Sequence, residues 1–367
     1  MTAGEAAPRV WLLMGHKAGD NTQVLALAEG LGWPFEIKRL IYRKTELLSN
    51  LLLGPTLAGV QINRSSPLEA PWPDLVITAG RRNEPVARWI QRQAEKTVRI
   101  VHLGRPWAKP ERFDLIITTP QYQLPRAANI LYNTLPLHRV SQERLAEAAA
   151  HWAPILEPLP EPHIALLVGG NSGPFTLDPA KATVLAEQAE AMAREAGGSL
   201  LITTSARTPL DAVKILAQKI HVPCHFHRWR AGAADNPYFA YLAHADAFIV
   251  TGDSVSMLTE ACVTGKPVYI FDLDDGPQAR RPGSAAKQPW WRYGYNYRFR
   301  PLSHRIGMTL GPRRMGRDVR RMHEQLVEEG RAAWLGESFP GKVDAPPVRD
   351  LARAVKDVQQ LFPAMTK

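Results

Sequence analysis

Two cysteines, Cys224 and Cys262, are all that the 367 residues contain, and their spacing fits neither a zinc site nor a disulfide framework. That excludes a disulfide-stapled secreted scaffold and points to a reducing compartment. No apolar stretch approaches the roughly 20 residues that a transmembrane helix needs, and the N-terminus carries no apolar segment of the signal-peptide kind. The expected location is the cytoplasm, with any membrane contact peripheral and on the inner face. Acidic residues are the scarcer charge, 35 against 45 Lys and Arg, and the formal net charge of +10 suits an anionic partner. Nucleotide phosphates, anionic lipid head groups and nucleic acid all fit that description. The first turn lacks Gly-x-Gly-x-x-Gly spacing and no helix carries a Tyr-x-x-x-Lys pair, which argues against a dinucleotide-dependent oxidoreductase or epimerase.

With 45% of residues apolar, the chain has ample material for two cores, which its length suggests. Val10 to Met14, Phe35 to Leu40, Asp74 to Ala79, Arg99 to Leu103 and Asp114 to Thr118 have strand character. Helical spacing separates some of them, at Asn21 to Gly30 and about Pro85 to Gln93, with a shorter apolar piece at Leu47 to Leu57. His151 to His163 holds Pro154, Pro158, Pro160 and Pro162, the composition of a linker. A second series then opens: strand Ile164 to Val168, helix Ala180 to Ala196, strand Ser199 to Thr203, and a helix from about Pro209 to Lys219. It continues through strand Ala247 to Val250, helix Val255 to Thr264 and strand Lys266 to Phe271. The pattern predicts an α/β protein of two Rossmann-like, doubly wound domains facing across a cleft. The expected boundaries are 1–150, a linker at 151–163, a second domain at 164–345, and a helix at 346–367 with one apolar face, packing back on the first domain.

The stretch Ala240 to Asp272 is the clearest candidate site. Strand, small-residue turn and helix leave the first helix amides pointing out of the sheet's carboxyl edge, where an anion would sit. Asp253, Ser256 and Glu260 fall three and four residues apart, on one helix face. Glu260 could accept the vicinal hydroxyls of a ribose or sugar while the helix mouth holds a phosphate. Alternatively, Asp253 or Ser254 caps the helix and Glu260 is a solvated charge. An ionised Asp253 would repel a diphosphate, so it is expected to turn onto backbone amides, with Arg207 as the cation that holds the phosphate oxygens. The cleft lining expected from the second domain is Gly169, Gly170, Asn171, Thr204, Ser205, Arg207, Asn236, Pro237, Tyr238 and Thr251 to Glu260, including Gly252, Ser254 and Met257. From the first it is Gly15, His16, Gly19, Asp20, Gln23, Gly80 and Arg81.

The segment Gly276 to Arg331 carries about thirteen Lys or Arg against about four Asp or Glu, interleaved with Trp290, Trp291, Tyr293, Tyr295, Tyr297 and Phe299. It reads either as a surface for anions or a membrane, or as a solvated loop whose aromatics pack on the domain. Asp272, Asp274 and Asp275 superficially resemble a DxD metal motif. No metal is expected, because the loop follows a parallel strand beside a helix mouth that needs no cation.

The combination GHKAGDNTQ, PDLVITAGRR, LLVGGNSGPF, TTSARTP, NPY and VTGDSVSMLTEACVTGKPVYIF resembles the elongated-mitochondria-type fission family, whose bacterial members resemble GT-B glycosyltransferases. The match runs from about Val10 to Phe271. By that resemblance the second domain would bind a nucleotide-diphosphate sugar, with Glu260 at the ribose and the Thr251 to Met257 turn at the phosphates, and the first would bind an acceptor. No cofactor beyond the donor and no nucleic acid is expected. An inverting transfer needs a base for the acceptor proton, and Asp20 is the first choice, with His16 as rival or partner. Asp20 as a helix cap and His16 as a loop residue are the bland alternatives. The acceptor is open, a cell-envelope or lipid-linked molecule being one guess. The other functions to weigh are a non-catalytic GT-B-like scaffold that docks on a membrane or protein, and a nucleotide-sugar epimerase.

Overall fold

The computed structural model describes residues 7–43, 54–95, 97–173, 175–232, 235–274, 280, 317–341 and 349–363. These divide into two compact units, one within Met1–Arg139 together with Arg317 and the described part of Val348–Lys367, the other within Val140–Gly311 and Asp318–Pro347.

The first unit is a six-stranded, all-parallel sheet in the order β2-β1-β3-β4-β5-β6. Its strands are β1 (Val10–Met14), β2 (Phe35–Arg39), β3 (Leu75–Ala79), β4 (Arg99–Leu103), β5 (Leu115–Thr118) and β6 (Ile130–Tyr132). Both faces are covered, so β1 and β3 are buried at every position and read as unbroken apolar runs. On one face Leu12, Ile77 and Val101 pack with α1 (Ala18–Leu31); on the other Trp11, Val76 and Ile100 pack with α2 (Gly80–Gln93). Helix α1 begins at Ala18 rather than Asn21, because Lys17 stands at its N-cap, and it ends on Gly32 at φ 67, whose N–H returns to Glu29 O. Helix α2 begins at Gly80, five residues earlier than its spacing suggests, since Gly80 at φ 75 turns the chain straight from strand into helix. Residues 47–53 of the expected apolar piece lie outside the described residues, and 54–57 are not helical.

Helix α3 (Gln142–Leu156) opens the second unit, its N-cap Ser141 accepting from Arg144 N–H. Its last turns occupy the start of the proline-rich stretch read as a linker. The second sheet is also six-stranded and parallel, in the order β12-β11-β10-β7-β8-β9. The strands are β7 (His163–Leu167), β8 (Ser199–Thr203), β9 (Cys224–His227), β10 (Ala247–Thr251), β11 (Val268–Phe271) and β12 (Ala333–Trp334). Helices α4 (Pro179–Glu195), α5 (Leu210–Lys219), α6 (Tyr238–His244), α7 (Val255–Cys262) and α8 (Arg320–Glu328) complete the unit. The central strands β7, β8 and β10 give it a buried apolar sheet, while β9 is exposed to half-buried.

Helix α9 (Asp350–Gln359) belongs to the first unit. Ala354 and Val358 are fully buried with Val24, Leu27 and Leu31 of α1, and Gly30 leaves room for Leu351 and Val355 to lie against it. Asp350 tethers the helix by accepting from Leu135 N–H at 2.8 Å. No helix among the described residues is long and apolar enough to cross a membrane.

Candidate functional site

Three turns meet at the carboxyl ends of β7, β8 and β10 in the second unit. Asp253 is the knot between them. Its side chain is wholly buried, accepts from Gly170 N–H at 3.1 Å and from the Thr251 hydroxyl at 2.8 Å, and pairs with Arg207 Nη1 at 2.6 Å. Thr251 Oγ1 in turn accepts from Gly169 N–H at 2.8 Å. Burial pushes the Asp253 carboxyl up, against the pull of Arg207 and of these hydrogen bonds. A side chain at Gly169 would collide with this carboxylate, and one at Gly170, at φ 140, with the Arg207 carbonyl. Glycine is required at both positions.

The Thr204 to Arg207 loop is stitched to the same place. Ser205 and Thr208 both donate to Gly169 O, at 2.5 and 2.6 Å, and Asn171 N–H donates to Arg207 O at 3.1 Å. Asn171 Oδ1 accepts from Leu177 N–H, and Thr204 Oγ1 from Trp229 N–H, so both side chains hold backbone. Arg207, the expected phosphate cation, is therefore committed to Asp253 while its side chain remains 38% exposed.

Helix α7 starts after Ser254, whose side chain makes no capping bond, and Asp253 does not cap it either. Ser256 and Met257 are half-buried on its first turn. Glu260 lies one turn further and is only 7% exposed, so it is not a solvated charge. The Tyr238 hydroxyl donates to Glu260 Oε2, and burial together with this carboxylate raises the phenol well above its ordinary pKa. Tyr238 is set in place by Asn236, whose Oδ1 accepts its N–H at 3.1 Å. Gly252 is held from behind: its carbonyl accepts from the buried His323 Nε2 at 2.7 Å.

Asp272 accepts from the N–H groups of Asp274 and Arg280, and Asp274 pairs with Arg320; Asp275 lies outside the described residues. Among the described residues no three His, Cys, Asp or Glu group as metal ligands.

In the first unit, Gly15, His16, Gly19, Asp20 and Gln23 follow β1. Asp20 sits in the first turn of α1 and is not its cap. Lys17 Nζ lies 3.7 Å from Asp20 Oδ2, and that carboxylate crowds Gly80, where a Cβ would come within 2.7 Å of it. Arg82 Nη1 is 2.7 Å from His16 Nε2. Arg81 lies over the Trp107 ring, 4.9 Å from its centroid. Gly15 O accepts from Asn21 Nδ2 at 2.8 Å, and Gln23 Nε2 reaches Gly19 O at 3.4 Å. Arg105, Tyr122 and Arg317 stand beside this group, and sequence reasoning missed them, as it missed Thr208 and His323. Thr208 could have been found, being part of the TTSARTP motif.

Residues 18–287 match the family described as Mitochondrial fission ELM1. The chain belongs to this family. The ELM1 relative from Arabidopsis thaliana, "Mitochondrial fission protein ELM1", is 30% identical over 249 residues, 62% of this chain and 58% of the plant protein. The match thus spans less than two thirds of that relative's length. Two solved structures resemble this ELM1-family chain at a TM-score of 0.50 and 11% identity. One is a UDP-glucosyltransferase from Polygonum tinctorium, covering 99% of this chain and 100% of that one. The other is a UDP-GlcNAc 2-epimerase from Methanocaldococcus jannaschii, at 96% and 99%. At this identity the likeness concerns the fold alone. The fold of this ELM1 member is GT-B-like, two Rossmann-like α/β domains.

Proposed function

We propose that the protein transfers a sugar from a nucleotide-diphosphate sugar to an acceptor. The observation that carries this reading is the placement of Glu260, a nearly buried carboxylate one turn inside α7, whose N-terminus opens at the carboxyl edge of a parallel sheet. Such an edge is where α/β sheets take ligands, and a carboxylate with its four lone-pair sites has acceptor capacity beyond the Tyr238 hydroxyl for ribose hydroxyls. In this reading the turn from Thr251 to Met257 holds the diphosphate through backbone amides, with Arg207 shared between Asp253 and a phosphate oxygen. No metal is needed for the leaving group. As the acceptor oxygen bonds to the anomeric carbon and the bond to the diphosphate breaks, the acceptor proton passes to Asp20, with His16 as rival or partner. A peripheral site on an anionic membrane belongs to the same proposal; flotation with anionic vesicles tests it, and no co-flotation removes it.

Calorimetric titration with a panel of nucleotide diphosphates and their sugars, on wild type and Glu260→Ala, tests the donor site. Micromolar binding of one nucleotide, lost in the variant, is the expected result. If the folded protein binds none, the non-catalytic scaffold replaces this reading. Incubating the bound sugar nucleotide without acceptor separates transfer from epimerisation, because only an epimerase would invert the sugar under those conditions.

A further inference from the structure

In the first unit, the carboxyl ends of β1, β3, β4 and β5 bring together cations that are far apart in sequence. Lys17, Arg81 and Arg82 follow β1 and β3, Arg105 follows β4, and Arg317 joins them from the far end of the chain. They are close enough to act on one another. The Lys17 amine is raised by Asp20, but desolvation by its neighbours and the charges of Arg317, Arg81 and Arg82 leave it below the ordinary lysine value, although more than half of the side chain stays exposed. Burial lowers Arg105 to about 10, Tyr122 opposes the shift, and Arg81 and Arg317 add to it. Like charges repel, and a fold that merely exposed a basic face would spread them through solvent.

These cations are also held in place. Arg81 lies on the Trp107 ring, and Arg317 lies over Tyr122, 6.0 Å from the ring centroid, with its Nε donating to Gln121 Oε1 at 3.0 Å. Arg105 is half-buried beside Tyr122. A guanidinium fixed against an aromatic face keeps its planar fork oriented, which suits two oxygens of a phosphate better than a mobile surface side chain does. Gly80 and Gly104 both have positive φ, with the Asp20 carboxylate against Gly80 and the Tyr122 ring against Gly104, and the first amides of α2 leave the edge at Gly80.

We propose that this edge of the first unit binds a phosphate or diphosphate group. The acceptor of the sugar transfer accordingly carries such a group, a clause that rests on the glycosyltransferase reading. Phosphate on the cations would hold the acceptor beside Asp20. The group is either on a soluble molecule or in a lipid head group; the chemistry recognised is the same.

The test titrates inorganic pyrophosphate into wild type, into Lys17→Gln/Arg81→Gln, and into Arg207→Gln in the second unit. Lys17 and Arg81 are exposed, so their replacement should leave the fold intact; Arg317→Gln gives an independent variant should the double one misfold. The expected result is a binding event about tenfold or more weaker in the first-unit variants, as for loss of charge-assisted hydrogen bonds, and retained in Arg207→Gln, where only a separate second-unit event is lost. A parallel arm measures co-sedimentation with phosphatidylcholine vesicles with and without phosphatidate. Phosphatidate-dependent binding that the first-unit variants lose, without pyrophosphate binding, also supports the site and assigns it to a lipid. Equal affinity in wild type and first-unit variants, loss only in Arg207→Gln, or no binding of either probe by folded wild type overturns the proposal. If nucleotide diphosphates fail to bind while pyrophosphate binds in this Lys17- and Arg81-dependent way, the transferase reading falls and the phosphate site stands.

Discussion

The imidazole of His323 donates from Nε2 to the carbonyl oxygen of Gly252, 2.7 Å away, and fixes the turn that opens α7 from a helix 71 residues further along the chain. The ring is fully buried between Phe175 and Trp334, and burial lowers its pKa to about 4, against the Gly252 carbonyl and Asp272, which raise it.

This burial predicts acid sensitivity. Below the unfolded pKa of about 6.5 the unfolded chain binds a proton that the folded His323 refuses, so stability falls as pH drops from 6.5 towards 4. The loss amounts to about 3 kcal/mol at pH 4. His102, buried in β4 and lowered to about 3, adds a loss of the same sign in the first unit. Calorimetric Tm values at pH 7.5 and pH 5 for wild type and His323→Gln check this. The variant should be less stable at pH 7.5 and shallower in its pH dependence, and parallel slopes would refute the assignment.

Gly170→Ala should destabilise by about 3 kcal/mol, since the new Cβ collides with a backbone carbonyl that cannot move without dragging the Arg207 loop. Gly265→Ala is the control. It has φ 75 but nothing within 4 Å of the added Cβ, and should cost only about 1 kcal/mol, the backbone strain alone. Denaturant midpoints for the two variants decide; equal losses would show that the Gly170 contact is easily relieved.

Tyr238→Phe removes the hydroxyl that donates to Glu260 and leaves the ring. Stability should fall by about 1.5–3 kcal/mol, the range for a hydrogen bond to a charged group. On the donor-site reading, nucleotide affinity should also fall, by about tenfold, because the carboxylate loses its orientation. Unchanged affinity in calorimetry would make Tyr238 structural only.

Asp20→Asn should leave nucleotide binding untouched and reduce turnover by about 10²–10⁴-fold, the usual worth of a positioned base. His16→Gln in parallel tells which of the two takes the proton. If neither variant slows transfer, the base lies elsewhere.

Nine of the twelve strands among the described residues could be read from the sequence, most of them because they are apolar runs, as Val10 to Met14 shows: parallel strands buried on both faces leave no alternation to confuse them. The missed strands β6, β9 and β12 have no such run. Cys224 to His227 is a sheet edge with exposed to half-buried side chains, and Ala333 and Trp334 are only two residues. At the site, the glycines and hydroxyls of the turns were legible as motifs. What locks them was not, since His323 and Arg317 reach their partners from a segment whose sequence reads as a run of basic charge. Arg207 shows the same limit: its type suited phosphate, but nothing local indicated that Asp253 would engage it.

Helix α9 has a consequence for biosynthesis. Residues 350–359 leave the ribosome after every described residue of the second unit, yet Ala354 and Val358 complete the core around α1. Until they emerge, Val24, Leu27 and Leu31 lack the part of their cover that Ala354 and Val358 supply, although they are made long before it. Protease pulses on arrested nascent chains should cut within the first sheet until α9 is released, even when the second unit already resists. The half of the protein that is translated first is thus the half that finishes folding last.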